Sequence, residues 1–429
     1  MPTPATIQRT YLLLLFGNTL AASFIWGINT IFLLDAGLSN FEAFAANAFF
    51  TAGMVVFEVP TGIVADTVGR RASYLLGTVT LALTTAMYVA LWQLRAPFWQ
   101  WAIVSVLLGL GFTFFSGAVE AWLVDALAAT SFTGDLQSVF GRGQVVTGVA
   151  MLTGSVAGGY IAQVTNLGVP FLLRAGVLVV MFFLAWRLMH DTGFTPRRGA
   201  GVRSEVKTIA QASVRYGWRI PAVKWLMLAS PFTMGVGIYG FYALQPYLLE
   251  IHGDPEAYGV AGLTAAIVAG SQIAGGLSAP IVARLFSRRT TALAVLAVTG
   301  AVALALIGVA SQLWAVIVLV VVWGLVSAAS LPVRQAYLNA LIPSQQRATI
   351  LSFDSLVASA GGVVAQPVLG RVADVWSYAT SYVVSALLSA VATPFVLLSR
   401  REDAPEDRIA GERSDEDAVV VGEVAARDV

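Results

Sequence analysis

The chain has no cysteine and only two histidines, His190 and His252, among 429 residues. Without thiols there are no disulfides and no thiolate chemistry, and two distant histidines do not make a metal cluster. No Gly-rich loop of the kind that cradles a nucleotide phosphate is present. No metal or cofactor is therefore expected, nor a catalytic constellation, so the chain does not read as an enzyme. Charge is scarce too, at 11% of residues against 57% hydrophobic, where a soluble domain carries about 25%. A soluble core of this length could not hide so much apolar surface, which makes the chain an integral membrane protein whose first partner is the lipid bilayer. Basic stripes with interleaved aromatics are also missing, so a nucleic acid partner is not expected. Ten of the 24 acidic residues lie beyond Arg400. The net charge of +1 thus averages a nearly neutral body and an acidic tail.

What is present is long apolar runs. A spanning helix takes about 20 apolar residues, and hydropathy places such runs near 10–34, 42–64, 73–94, 98–127, 137–164, 168–189, 222–248, 258–285, 290–310, 313–341, 348–372 and 378–399. They are numbered here as spans 1 to 12. The first is too long for the core of a cleavable signal and is expected to stay as a helix. One long polar break, Asp191 to Ile220, divides them six and six. The expected organisation is an N-terminal half over 1–190, a linker over 191–220, a C-terminal half over 221–400 and a disordered acidic tail over 401–429. Within the linker, Ser204 to Arg219 reads either as a helix on the membrane surface or as a disordered segment whose basic residues enforce topology. With both termini in the cytoplasm, 22 of 25 basic residues fall on the inner side and only Arg95, Arg174 and Arg371 on the outer. The positive-inside rule selects that orientation, and the cell (inner) membrane is the expected location. Arg174 reads as an anchor at the outer interface.

Between spans 2 and 3 lies Gly62-Ile63-Val64-Ala65-Asp66-Thr67-Val68-Gly69-Arg70-Arg71, and a degraded copy, Pro280 to Arg289, returns 218 residues later. Gly109-Leu110 and Glu120-Ala121-Trp122-Leu123 in span 4 match Gly324-Leu325 and Gln335-Ala336-Tyr337-Leu338 in span 10 at nearly the same offset, 215. Two segments sharing an offset of about half the chain indicate internal duplication. The first turn resembles the signature loop of the major facilitator superfamily, drug/proton-antiporter-like branch. That resemblance implies an all-α fold of twelve transmembrane helices in two pseudo-symmetric halves, with a central site between them. It also implies a conformational gate made of Gly62, Asp66, Gly69, Arg70 and Arg71, with Asp66 beside the start of span 11 and the arginines reaching Asp125. On physical grounds Gly69 supplies a positive-φ position, and the bland alternative is a turn that only fixes topology. In the second copy Arg284 stands where Asp66 would, and Asp354 is left to pair with either Arg334 or Arg347.

Span 5 carries Gly141, Ala150, Gly154, Ser155, Gly158 and Gly159. The spacing resembles the family's antiporter pattern, with Ala150 in place of a glycine and Ser155 in place of the proline; otherwise it is a small-residue packing face. The arginine that proton-coupled members often place in span 4 is missing, its position being Thr113. Charges inside a bilayer need partners or a function. Glu120 and Arg142 read as a pair or as part of a proton relay, and Glu58 as a proton carrier or as a cap for backbone loosened by Pro60. By family analogy spans 1, 4, 7 and 10 line the cavity, where helical spacing groups Asn18, Trp26 and Asn29, and Tyr239 and Tyr242, with Gln245 beside them. Their alternative is ordinary packing. The reading is a secondary active transporter, expected to be a monomer, that exports a small amphipathic organic substrate against protons by alternating access. A proton-coupled or facilitated importer is the second reading, and a transporter-like sensor the third.

Overall fold

The computed structural model describes residues 2–130, 132–196, 218–343 and 347–409. Among these residues the structure is helical and holds eleven helices long and apolar enough to cross a membrane, plus a bent pair that makes a twelfth span. Span 1 is that pair, Pro4–Trp26 and Asn29–Asp35, bent by 47°. Spans 2 and 3 are Asn40–Thr67 and Arg70–Leu94. Span 4 is interrupted, Phe98–Thr113 then Ala118–Ala129, with Gly117 at φ +66° in the gap. Spans 5 and 6 are Leu136–Val164 and Gly168–Leu188. Spans 7 to 11 are Pro221–His252, Tyr258–Arg284, Arg289–Val309, Leu313–Leu341 and Arg347–Val375. Span 12 is Tyr378–Ala390 continued by Ala392–Arg401. Hydropathy located every span but not the breaks in 1 and 4, because a break leaves the apolar run continuous.

The first six spans pack as 1 on 5, 2 on 4, 3 on 6 and 3 on 4; the last six repeat this as 7 on 11, 8 on 10, 9 on 12 and 9 on 10. The repeated glycines show why. A Cβ on Gly109 would meet the span 2 backbone at Met54 N at 2.8 Å, and one on Gly324 would meet Ser271 of span 8 at 2.9 Å. Both halves need the same absence of a side chain at the same crossing. Span 2 then packs on span 11 and span 5 on span 8, joining the halves.

A carboxylate closes each half in the same way. Asp191, just after span 6, accepts from the Arg71 N–H at the start of span 3 (2.9 Å). Asp407, after span 12, accepts from the Thr290 N–H (2.8 Å) and hydroxyl (2.6 Å) at the start of span 9. Each neutralises backbone donors that a helix start leaves unpaired. This corrects the expectation of a disordered tail from Arg401 onward. Residues 402–409 lie against the span 8–9 turn, where the Ile409 N–H bonds Ser287 O (3.0 Å), Arg288 pairs with Asp403 (2.8 Å) and Asp407 is 1% exposed. The linker helix expected near Ser204 to Arg219 falls largely on 197–217, outside the described residues, as does the tail from 410.

Candidate functional site

The two halves meet at one end of the bundle. At the end marked by Asp374, its carboxylate accepts from the Asn40 (2.9 Å) and Phe41 (2.8 Å) N–H groups at the start of span 2. The Tyr378 hydroxyl donates to Asn40, and Gln163 of span 5 accepts from the Gly259 N–H of span 8 (2.9 Å). The contacts nearest the other end lie near mid-span, where Gln366 donates to Thr51 (3.4 Å) and a Cβ on Gly148 would meet Ile273 at 3.2 Å. Beyond that depth, toward the end marked by Asp66, no hydrogen bond, ion pair or aromatic contact joins the halves among the described residues. The seam is closed at the Asp374 end; toward the Asp66 end it carries no such contact among the described residues, and that end is called parted here.

The central element of the closed end is Gln245. In an unbroken helix the Thr30 N–H would bond Trp26 O. The bend of span 1 separates these groups, and the Gln245 amide of span 7 enters between them, donating to Trp26 O (2.7 Å) and accepting from the Thr30 N–H (2.8 Å). One side chain from the second half thus replaces one backbone hydrogen bond in the first. Gln245 is 3% exposed, so both backbone groups would otherwise be stranded. Gly27, at the bend, admits span 8: a Cβ there would meet Gly262 Cα at 2.9 Å.

This placement corrects the expected cavity stripe. Gln245 is a bridge between halves. Asn18 accepts from the Tyr74 hydroxyl (2.9 Å), Asn29 donates to Asn47 (3.0 Å), and Tyr239 is fully buried and donates to Ser381 (2.6 Å). These three hold neighbouring helices of their own half. Trp26 and Tyr242 remain at the seam, with Phe241 between them at ring distances of 5.5 and 5.2 Å. The helical period grouped the residues on common faces; it could not tell which face met protein.

At the parted end, Asp66 pairs with Arg70 (2.6 Å), and Arg70 Nε lies 3.9 Å from Asp125. No described contact joins Asp66 to the start of span 11. Arg71 donates a side-chain bond to Trp186 O, and the Arg70 guanidinium lies over Phe194 at 5.9 Å. Gly69 has φ +132°, and a Cβ there would collide with the Asp191 carboxylate; Gly62 meets nothing. In the second half, Asp354 takes a two-pronged bond from Arg334, both at 2.6 Å, whose Nη2 also reaches Leu226 O (3.2 Å). Arg347 instead donates to Asn339 O (3.0 Å).

Glu58 is exposed and accepts from the Ser116 hydroxyl in the break of span 4 (2.6 Å). Thr61 donates back to Phe57 O (2.8 Å), and the bond that Glu58 makes goes to Ser116 rather than to backbone near Pro60. No ion pair forms between Glu120 and Arg142 among the described residues; Arg142 is exposed and Glu120 half-buried. In span 5, Gly154 lies against Ser23 (a Cβ would sit at 2.6 Å), Gly158 against the Phe24 backbone and Gly159 against Gly262 of span 8 (2.8 Å), while Gly141 meets nothing. Ala150 and Ser155 are buried along the same helix. Arg174 is not an interface anchor: it is 3% exposed.

A sequence model of the Major Facilitator Superfamily matches residues 11–285 and again 256–427. An uncharacterised MFS-type transporter of Methanocaldococcus jannaschii is 20% identical over 229 residues, 53% of this chain and 57% of that relative. The match therefore spans little more than half of the relative's length. Among solved structures, the nucleoside transporter NupG superposes with a TM-score of 0.74 at 12% identity, covering 92% of this chain and 99% of that one. A bacterial homologue of the human lysosomal transporter Spinster, inward-facing and occupied, gives 0.68 at 14% identity over 96% and 99%. A D-xylose–proton symporter gives 0.63 at 15% identity over 92% and 96%. At these identities the likeness is one of fold.

Proposed function

Because the chain belongs to the major facilitator superfamily, we propose that it is a secondary transporter in which two six-helix halves rock about the central seam, exposing a site to one side of the membrane at a time. The observation that carries this reading is the one-sided seam, closed through Gln245 and Asp374 and parted at the Asp66 end. Basic residues gather at the parted end, Arg9, Arg70, Arg71, Arg142, Arg288, Arg289, Arg400 and Arg401 among them, which supports a reading with that end and both termini in the cytoplasm of a cell membrane. The conformation is then inward-facing. The Asp66, Arg70 and Asp125 cluster belongs to the opposite state, in which span 2 and the start of span 11 close together as Asp374 and the start of span 2 do here.

Protons are the proposed coupling ion and Glu58 the proposed carrier. It is an intramembrane carboxylate, exposed, with a hydroxyl partner and, among the described residues, no basic one. Export of a small amphipathic compound is the first reading, supported by the close span 5 crossing at Gly158 and Gly159. Import is the second, favoured by Thr113 where a basic residue is common and by Ser155 where the antiporter pattern has proline. Purified protein in liposomes, given a pH gradient and a panel of amphipathic solutes, tests the function. Solute-dependent proton movement is expected, and its sign gives the direction. Solute flux with no proton movement removes the coupling, and no flux of any solute in either direction removes the carrier.

A further inference from the structure

Among the described residues Arg174 has no partner of opposite charge. It lies seven residues into span 6, and the guanidinium stacks over Phe112 of span 4 at 5.6 Å. It makes no hydrogen bond or ion pair among the described residues, and its Nε is buried and unpartnered. Nη1 and Nη2 are not among the fully buried unpartnered atoms, and Phe112, Trp26, Phe241 and Tyr242 are only half-buried. Guanidinium is cationic at any working pH, and a lone cation in the membrane interior costs several kcal/mol on insertion scales. Its place is about 9 Å along the helix from the Asp374 end, at 1.5 Å per residue. A side chain of this length could extend toward the interface from there, yet it turns inward.

No carboxylate of the surrounding elements answers it. Span 3, span 6 and the first segment of span 4 contain no Asp or Glu. Asp35, at the end of span 1, accepts from Trp92 (2.6 Å), and Glu250 of span 7 is exposed. Two phenols, Tyr88 and Tyr242, are near enough to act on its charge. Tyr88 already shares a hydrogen bond with Ser105 (2.6 Å). Tyr242 comes from the other half and lies beside Trp26 at the seam, one turn before Gln245. With Tyr242 near it and only 3% of its surface exposed, the cation is set toward the seam rather than toward lipid.

We propose that Arg174 is the anion-binding element of the central site and that the solute is a small organic acid, its carboxylate held by the two terminal nitrogens. The planar fork matches a carboxylate two to two. Phe112, Trp26, Phe241 and Tyr242 supply the apolar walls for the body of such a molecule. Because Arg174 belongs to the first half and Tyr242 to the second, a bound carboxylate touches both and is sensitive to their relative position. The proposal rests on the transport reading above for the role of the seam, and on the unanswered cation for the class of solute.

Calorimetric titration of the full chain in nanodiscs tests it, with benzoate, the neutral isostere benzamide and phenyl phosphate as probes. Benzoate is expected to bind at least about tenfold more tightly than benzamide. R174Q should bind the two alike, and R174K should keep part of the preference through its charge. An unchanged thermal midpoint in R174Q would show that the protein is still folded. Equal binding of benzoate and benzamide by the wild type, or a preference that survives in R174Q, overturns the proposal; so does an absence of binding by any probe. Tighter binding of phenyl phosphate than benzoate overturns the carboxylate assignment. Should R174Q not fold, the wild-type comparison and R174K decide. Counterflow of labelled benzoate in liposomes separates the two readings. Selective binding without flux keeps the anion site and removes the carrier, while flux of neutral solutes without preference for benzoate does the reverse.

Discussion

At Gln245 a single side-chain amide stands in for one turn of helix hydrogen bonding in the opposite half. Gln245→Leu keeps the volume but strands the Trp26 carbonyl and Thr30 N–H, each a loss of about 1–3 kcal/mol in the closed arrangement. Straightening of span 1 would restore their mutual bond. The variant should therefore open the Asp374 end more often, about tenfold or more by population arithmetic. The measurement is the rate at which an impermeant maleimide labels a cysteine introduced at Phe241, in a chain with no other thiol; an unchanged rate would remove Gln245 from the seal. At Glu58, Glu58→Gln should abolish pH-driven accumulation while leaving solute exchange intact, and full pH-driven transport in that variant would exclude Glu58 as the carrier. Helical spacing put Tyr239 on the stripe and Gln245 beside it, and it had no means to show that Gln245 bridges the halves while Tyr239 bonds Ser381. Arg174 was legible as a charge and misread in direction, because depth along a helix does not say which way a long side chain turns.

Among elements, the span 2–3 turn was the most legible, since its glycine, acidic and paired basic residues each leave a fixed mark on sequence. Its partners were less so. Asp191 and Asp407 were not singled out from sequence, although each follows the last span of its half and each caps the third span of that half. The signal was the internal offset: Arg71 and Thr290 are 219 apart, Asp191 and Asp407 216. Asp407→Asn weakens two buried hydrogen bonds at a helix start, so a loss of about 1–3 kcal/mol is expected, read as a lower thermal midpoint. Asp403→Ala, at an exposed pair, should leave it nearly unchanged. Asp66→Ala and Arg70→Ala act differently, because in this state their cluster bridges no halves. They should leave stability near wild type and slow cycling by destabilising the state closed at their own end. Wild-type turnover in both at equal expression would sink that account. The breaks in spans 1 and 4 escaped hydropathy because Gly27 and Gly117 interrupt hydrogen bonding without interrupting apolarity.

For the whole molecule, duplication and span count were legible because membrane thickness and internal repeats both act directly on sequence. The conformation was not, since the same side chains must serve two states of similar free energy. The central claim is that the halves rock, one end closing as the other opens. Spans 5 and 8 cross the membrane side by side from opposite halves, which makes their ends a direct gauge. Spin labels at Val164 and Glu256 report the Asp374 end, and labels at Gln137 and Leu285 report the Asp66 end; all four positions are exposed. Pulsed dipolar distances in lipid, in wild type and with Gln245→Leu, should move in opposite senses, the first pair lengthening in the variant as the second shortens. Distances that stay fixed in both, or that lengthen together, would contradict a rocking carrier.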